Sequence, residues 1–173
     1  MKKKGLPATP PPFNSPLGKG GYRGVKGSKD GFPVEVIGLN NAITIALKDA
    51  FLSPENIDYI SCSANSTKGL DSMETRVIKE IFGAHAFNIP VSSIKSMVGE
   101  SFSASGALSL AAAVGAIKNG FIPPTVNYKE KDPECDLDYV PNKAIQKDIN
   151  NVLVISSDPY GQNAAIVLSR YDT

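Results

Sequence analysis

The stretch KSMVGESFSASGALSLAAAVGAIKNGFIPPTVNYKEKDPECDLDYVPN, Lys95 to Asn142, decides the fold of this chain. A glycine turn feeds a segment made almost wholly of Ala, Gly, Ser and Leu. From Ala104 to Ile117 only Ser105 and Ser109 are not apolar. A helix of that composition, from about Ser103 to Asn119, is predicted to be buried all round. Its small side chains require neighbours that approach closely, between sheets or against a twin helix. Part of this helix, or of the sheet beside it, is therefore expected to need a partner. A Pro-Pro turn and an acidic loop carrying Cys135 follow.

The flanking elements alternate in type. Ile43, Leu47 and Phe51 recur at i, i+4 and i+8 beside Ala42, Ala46 and Ala50, which predicts one helix packed on one side. Ser53-Pro54 should end it, since proline disfavours helix in the residue before it. Ile57–Ala64 reads as a strand buried on both faces. Asp71 followed by Glu74 reads as a capping-box-like helix start, with Met73, Val77, Ile78 and Ile81 as the apolar stripe. Pro90–Ile94 is a short strand. Asn151–Ser157 and Asn163–Arg170 are strands joined by Asp158-Pro159-Tyr160-Gly161, a hairpin. The order α-β-α-β-α-β-β is that of an α/β layered domain.

Residues 1–31 hold five prolines, seven glycines, seven Lys/Arg and one acid. Such a segment buries too little apolar surface to offset the entropy of ordering and is expected to be a disordered leader, with the folded domain at 32–173. The formal charge of +1 hides this asymmetry, because the remainder carries eleven Lys/Arg against sixteen acids. No basic field of the kind nucleic acid requires remains on the domain. The start MKKKGLPATPPP lacks an apolar core of the secretory type, and the small-residue run is too short to span a bilayer. Cys62 and Cys135 form neither a disulfide framework nor a zinc-ligand spacing. A cytoplasmic, reduced protein without membrane, metal or nucleic-acid partners is expected. The lone His85 reads as a solvated loop residue, and the acids of Lys129–Asp138 do not follow calcium-loop spacing.

Several separated motifs, in order, resemble the C-terminal half of a β-ketoacyl-acyl-carrier-protein synthase: LSPENIDYI (Leu52–Ile60), ISCSANSTKGLDSMET (Ile60–Thr75), VSSIKSMVGE (Val91–Glu100), IPPTVNY, DPECDLDYVPN and SSDPYGQNAAIVLSR. The resemblance implies one half of a thiolase-like fold, a mixed sheet with a central small-residue helix, flanking helices and a C-terminal β-hairpin. It implies an acyltransferase chemistry, decarboxylating condensation, on acyl- and malonyl-phosphopantetheine carriers, with no cofactor. That chemistry uses a cysteine nucleophile from the other half and two histidines that settle negative charge on the enolate.

The two histidine positions hold Ser63 and Glu100 here. Serine is no base near neutral pH, and a carboxylate only accepts hydrogen bonds. Lys95 keeps the family lysine, but its family glutamate partner is replaced by Ser109, which leaves Glu100 as a candidate partner. Asn65 and Thr67 occupy the positions that contact the pantetheine arm, although a strand-end cap accounts for them equally. Neither Cys62 nor Cys135 has a histidine neighbour in sequence to activate it. The gate loop, shortened to Asp158–Gly161 with a proline in it, is stiffened.

These departures leave enzymatic competence open. They point to a ketosynthase-like C-terminal domain of fatty-acid or polyketide synthesis that does not condense alone, either a degenerate fragment or a chain-length-factor-like subunit. Its expected partner is an N-terminal ketosynthase half or a ketosynthase subunit, with acyl carrier protein as a further one. The alternatives are the complementing half of an active split 3-oxoacyl-carrier-protein synthase and a carrier-protein binding module.

Overall fold

The computed structural model describes residues 36–171, so the expected leader at 1–31 lies outside the described residues. Helix α1, Val36–Asp49, buries Leu39, Ile43 and Leu47 at a spacing of four. It ends earlier than expected. The N–H of Leu52 returns to the carbonyl of Leu47 at 3.0 Å, and Phe51 takes a left-handed φ of 55°. That closure turns Phe51 out of the stripe, 95% exposed. A 3-10 turn at Pro54–Asn56 then leads to β1, Tyr59–Ser61, shorter than the predicted strand but fully buried.

Helix α2 runs Lys68–Phe82. It starts one turn before the predicted cap at Asp71, because Leu70 and Asp71 already donate to the carbonyl of Thr67. Asp71 therefore lies in the first turn, and Glu74 is buried deeper in the helix. The expected capping box does not form. His85 sits half-buried in the 3-10 turn Gly83–Phe87 rather than on a solvated loop.

Strand β2, Val91–Ser92, precedes the short helix α3, Lys95–Val98, a 3-10 turn at Phe102–Ala104 and helix α4, Ser105–Asn119. The pair β3, Phe121–Ile122, and β4, Ile145–Gln146, forms a small antiparallel ladder that the sequence pattern did not announce. Strands β5, Asn151–Ser157, and β6, Asn163–Ser169, are the expected hairpin. The main sheet has the order β2-β1-β5-β6, the first three strands parallel and β6 antiparallel.

Alternation along β5 builds a core on each face of the sheet. Leu153 and Ile155 join α1 and α2 on one side, while Val152 and Val154 join α4 on the other. The α4 helix corrects one expectation. Its buried positions are Ser105, Ser109, Ala113 and Ala116, one stripe facing the sheet. Its opposite face is open, with Leu108 40% and Val114 55% exposed. On the same side of the sheet, Ile166 of the edge strand β6 is 45% exposed. No helix among the described residues is long and apolar enough to cross a membrane.

Candidate functional site

The parallel strands β1 and β2 point their C-terminal ends at one cleft, the usual place for a site in an open α/β sheet. Its volume is about 450 Å³. The walls come from the turn after β1 (Cys62, Ala64, Asn65), from α2 (Asp71, Glu74), from α3 and its exit (Lys95, Glu100), and from the acidic loop (Glu130, Asp132, Cys135).

The turn between β1 and α2 is held from beneath. The fully buried carboxylate of Glu74 accepts the Ser63 N–H at 2.7 Å on one oxygen and the Ala64 N–H at 3.0 Å on the other. Those bonds hold a backbone that enters the left-handed region at Ala64 (φ 34°) and Ser66 (φ 66°). Burial pushes the Glu74 pKa up to about 7, against the opposing pull of the two N–H donors. One helical turn earlier, burial raises Asp71 to about 6, and its Oδ1 is buried without a hydrogen-bond partner. Burial likewise drives the Cys62 thiol well above its ordinary range, with the Glu74 and Asp71 carboxylates adding to the effect. The thiol donates weakly to the Ser92 carbonyl at 3.4 Å. Burial also raises Cys135. Neither sulfur carries the thiolate character that a nucleophile needs.

Ser63, expected from the resemblance to stand at the first histidine position, faces away from this chemistry. Its hydroxyl donates to the Ser157 carbonyl and accepts the Ser157 N–H, both at 3.1 Å, so it ties the ends of β1 and β5 together. It does not line the cleft. Glu100, expected at the second such position, does. One carboxylate oxygen accepts from Lys95 Nζ at 2.8 Å. The other accepts the Phe102 N–H at 2.8 Å and the Ser105 hydroxyl at 2.5 Å. The Lys95 ammonium first, then Ser105, hold its pKa down at about 2. Glu100 is thus a fixed anion near neutral pH, and Lys95 pairs with it as the loss of a glutamate at 109 suggested.

Asn65 lines the cleft, but its side-chain oxygen accepts the Thr67 N–H at 3.3 Å. Thr67 is the residue preceding α2 and is not in the cleft wall. The turn at Asp158–Gly161 is braced by the Asp158 carboxylate, which accepts the N–H groups of Tyr160 and Gln162, each at 2.9 Å. Sequence reasoning missed Asp71 and Glu74 as members of the site. Their three-residue spacing on a helix after a buried strand was the available signal, since it places both carboxylates on one helix face.

The chain is similar to known proteins over most of its length. The model of the β-ketoacyl synthase C-terminal domain matches residues 24–129, so it begins inside the segment read as a leader. The tetracenomycin polyketide synthase ketoacyl synthase alpha subunit of Streptomyces glaucescens is 47% identical over 129 residues, 75% of this chain and 30% of that protein. The 3-oxoacyl-[acyl-carrier-protein] synthase 2 of Coxiella burnetii is 42% identical over 136 residues, 79% of this chain and 33% of that protein. The chain thus spans about a third of the length of these curated relatives.

Among solved structures, a type II polyketide synthase acyl-carrier protein in complex with its ketosynthase bound to the hexaketide superposes with a TM-score of 0.77. The identity is 37%, over 82% of this chain and 35% of that one. The ishigamide ketosynthase/chain length factor gives 0.74 and 40% identity, over 78% of this chain and 33% of that one. These matches carry the mixed α/β, thiolase-like architecture expected from the motifs.

Proposed function

We propose, on the premise that this chain belongs to the C-terminal domain family of the β-ketoacyl synthases of polyketide and fatty-acid synthesis, that it acts as a non-condensing, chain-length-factor-like subunit in the cytoplasm. The observation that carries this reading is Glu100. A carboxylate locked by Lys95, Phe102 and Ser105 stands where the family places its second histidine. An enolate forming beside it meets a fixed negative charge instead of a hydrogen-bond donor. Losing one oxyanion donor typically costs about 100-fold or more in rate. Ser63 offers no replacement, because its hydroxyl is committed to the backbone of Ser157.

The partner is a ketosynthase subunit that contributes the reactive cysteine. The open side of α4 and Ile166 support this, since they leave apolar surface where a second layer would pack. One of the similar structures is itself a ketosynthase/chain length factor, and another holds a carrier protein on its ketosynthase. Any substrate is then an acyl or malonyl group on a phosphopantetheine carrier, with Asn65 in the wall of the approach, and no cofactor is required. A complementing half of an active synthase would need Glu100 or Lys95 to move protons near neutral pH. The low pKa of Glu100 weighs against that.

The test is malonyl-carrier decarboxylation and carbon–carbon bond formation by the intact protein, with and without a ketosynthase subunit. The expected result is no turnover by this chain alone and co-elution with the partner. Condensation by the chain alone that Glu100→Gln abolishes would overturn the reading.

A further inference from the structure

Two surface features at opposite ends of α4 match each other in shape. At the N-terminal end, Phe102 is 83% exposed on a left-handed backbone (φ 47°). Bulky residues rarely adopt that conformation. The bond from its N–H to Glu100 fixes the turn that carries the ring. At the C-terminal end, a groove of about 620 Å³ opens between Val114, Ile117 and Lys118 of α4, Gly120, and Leu168 of β6. Val114 and Lys118 also belong to the open face of the helix, so the groove gives onto that face.

Between knob and groove the open face reads nearly the same from either end. Ala111 is its centre. Leu108 stands three residues before it and Val114 three after; Ala107 stands four before and Gly115 four after. Nothing lies within 4 Å of the place a Cβ on Gly115 would take. Phe102 and Gly120 are each nine residues from Ala111, about 14 Å along a helix axis. Such a face fits an antiparallel copy of itself about a two-fold axis at Ala111. Leu108 of one copy then seats over Gly115 of the other, Val114 packs beside Ala107, and each Phe102 reaches the groove of the opposite copy.

Charge and area favour the same pairing. Lys118 is exposed, and the pairing turns it toward the end where Glu100 shows more of its side chain than its partner Lys95 does, 35% against 12%. Antiparallel helices also set opposite dipole ends side by side. Two aromatic rings bury about 150–250 Å² each. With Leu108 and Val114 of both copies they approach the roughly 1,000 Å² that a specific interface needs.

We propose that a second copy of this chain covers the open face of α4, with Phe102 of each copy in the α4–β6 groove of the other. An interface of that size comes apart on dilution. It uses the face assigned above to a ketosynthase subunit, so self-pairing and that pairing exclude one another.

Sedimentation velocity of the full chain alone tests this. Monomer is expected at about 1 μM and dimer at about 200 μM, as for a small interface. Phe102→Ala should weaken association at least about ten-fold, as loss of a central aromatic anchor does, with the circular dichroism unchanged. Phe51→Ala, which removes a still more exposed ring beyond α1 on the other side of the sheet, should leave association unmoved. In a Cys135→Ser background, Ala111→Cys should cross-link to its own copy in a glutathione redox buffer, because the axis brings the two positions within disulfide reach. Ile45→Cys, on the outer side of α1, should not. Monomer at every concentration, a dimer indifferent to Phe102→Ala, or equal cross-linking by the two cysteine variants would each overturn the proposal. Co-elution with a ketosynthase subunit is a separate measurement, and its failure would leave the self-pairing result standing.

Discussion

Two glutamates of the cleft, Glu74 and Glu100, hold backbone N–H groups in the same way and respond to pH in opposite senses. Glu74 lies under the β1–α2 turn, has no cation bonded to it, and rises to about 7 because burial penalises its charge. Glu100 lies at the mouth between α3 and α4, keeps water access, and falls to about 2 because Lys95 and Ser105 favour its charge. Burial governs the first and a charged partner governs the second. The Glu74 clamp under the β1–α2 turn is therefore structural, whereas the Glu100 clasp sets the electrostatics of the mouth.

The largest expected effect breaks the buried side of this comparison. Glu74→Ala leaves the buried Ser63 N–H and the part-buried Ala64 N–H without an acceptor and should cost about 3 kcal/mol in urea unfolding. Glu74→Gln keeps one acceptor and should cost roughly half as much. The pH profile sharpens the contrast. Glu74 binds its proton more tightly folded than unfolded. Its contribution to stability is present below the ordinary 4.5 and is lost as pH rises through about 7. Glu100 does the reverse, with stability present above 4.5 and lost as pH falls toward about 2. Glu74→Gln should flatten the neutral limb of the stability profile, and Glu100→Gln the acid limb. Identical profiles for the two variants would dissolve the distinction.

Smaller effects follow from the neighbouring contacts. Ser63→Ala removes both hydrogen bonds to Ser157 and should cost about 1–2 kcal/mol, measured by the same unfolding. Glu100→Gln breaks an ion pair open to solvent and should cost no more than about 1 kcal/mol. The least change is expected on the open face of α4. Leu108→Asp or Val114→Asp should move the stability of the isolated chain by under about 0.5 kcal/mol. The same changes should abolish co-elution with a ketosynthase subunit. A large loss of stability instead would place those residues in the core of this chain.

Much of the fold was legible because it is periodic. The spacing at Ile43 and Leu47, the apolar run before Cys62 and the hairpin around Asp158–Gly161 each signal an element locally. Element ends were less legible. Phe51 continues the helical spacing, but the chain closes the helix first. Asp71 and Glu74 look like a cap, yet α2 starts at Lys68. The site was half legible. Ser63 and Glu100 stood out at motif positions, whereas the clamp of Glu74 on Ser63 and Ala64 crosses between elements and leaves no local pattern.

The chain on its own determined the order of helices and strands, the small-residue character of α4, and which residues, Ser63 and Glu100, fall where the resemblance implies histidines. These depend on residue type and short-range spacing. Only the tertiary structure decided which face of α4 is covered, which carboxylate is buried and which is paired, and that the Ser63 hydroxyl turns to Ser157 rather than into the cleft. Burial and charge pairing depend on what other segments bring within a few ångströms, and that proximity is set by packing across the sheet rather than by neighbours along the chain.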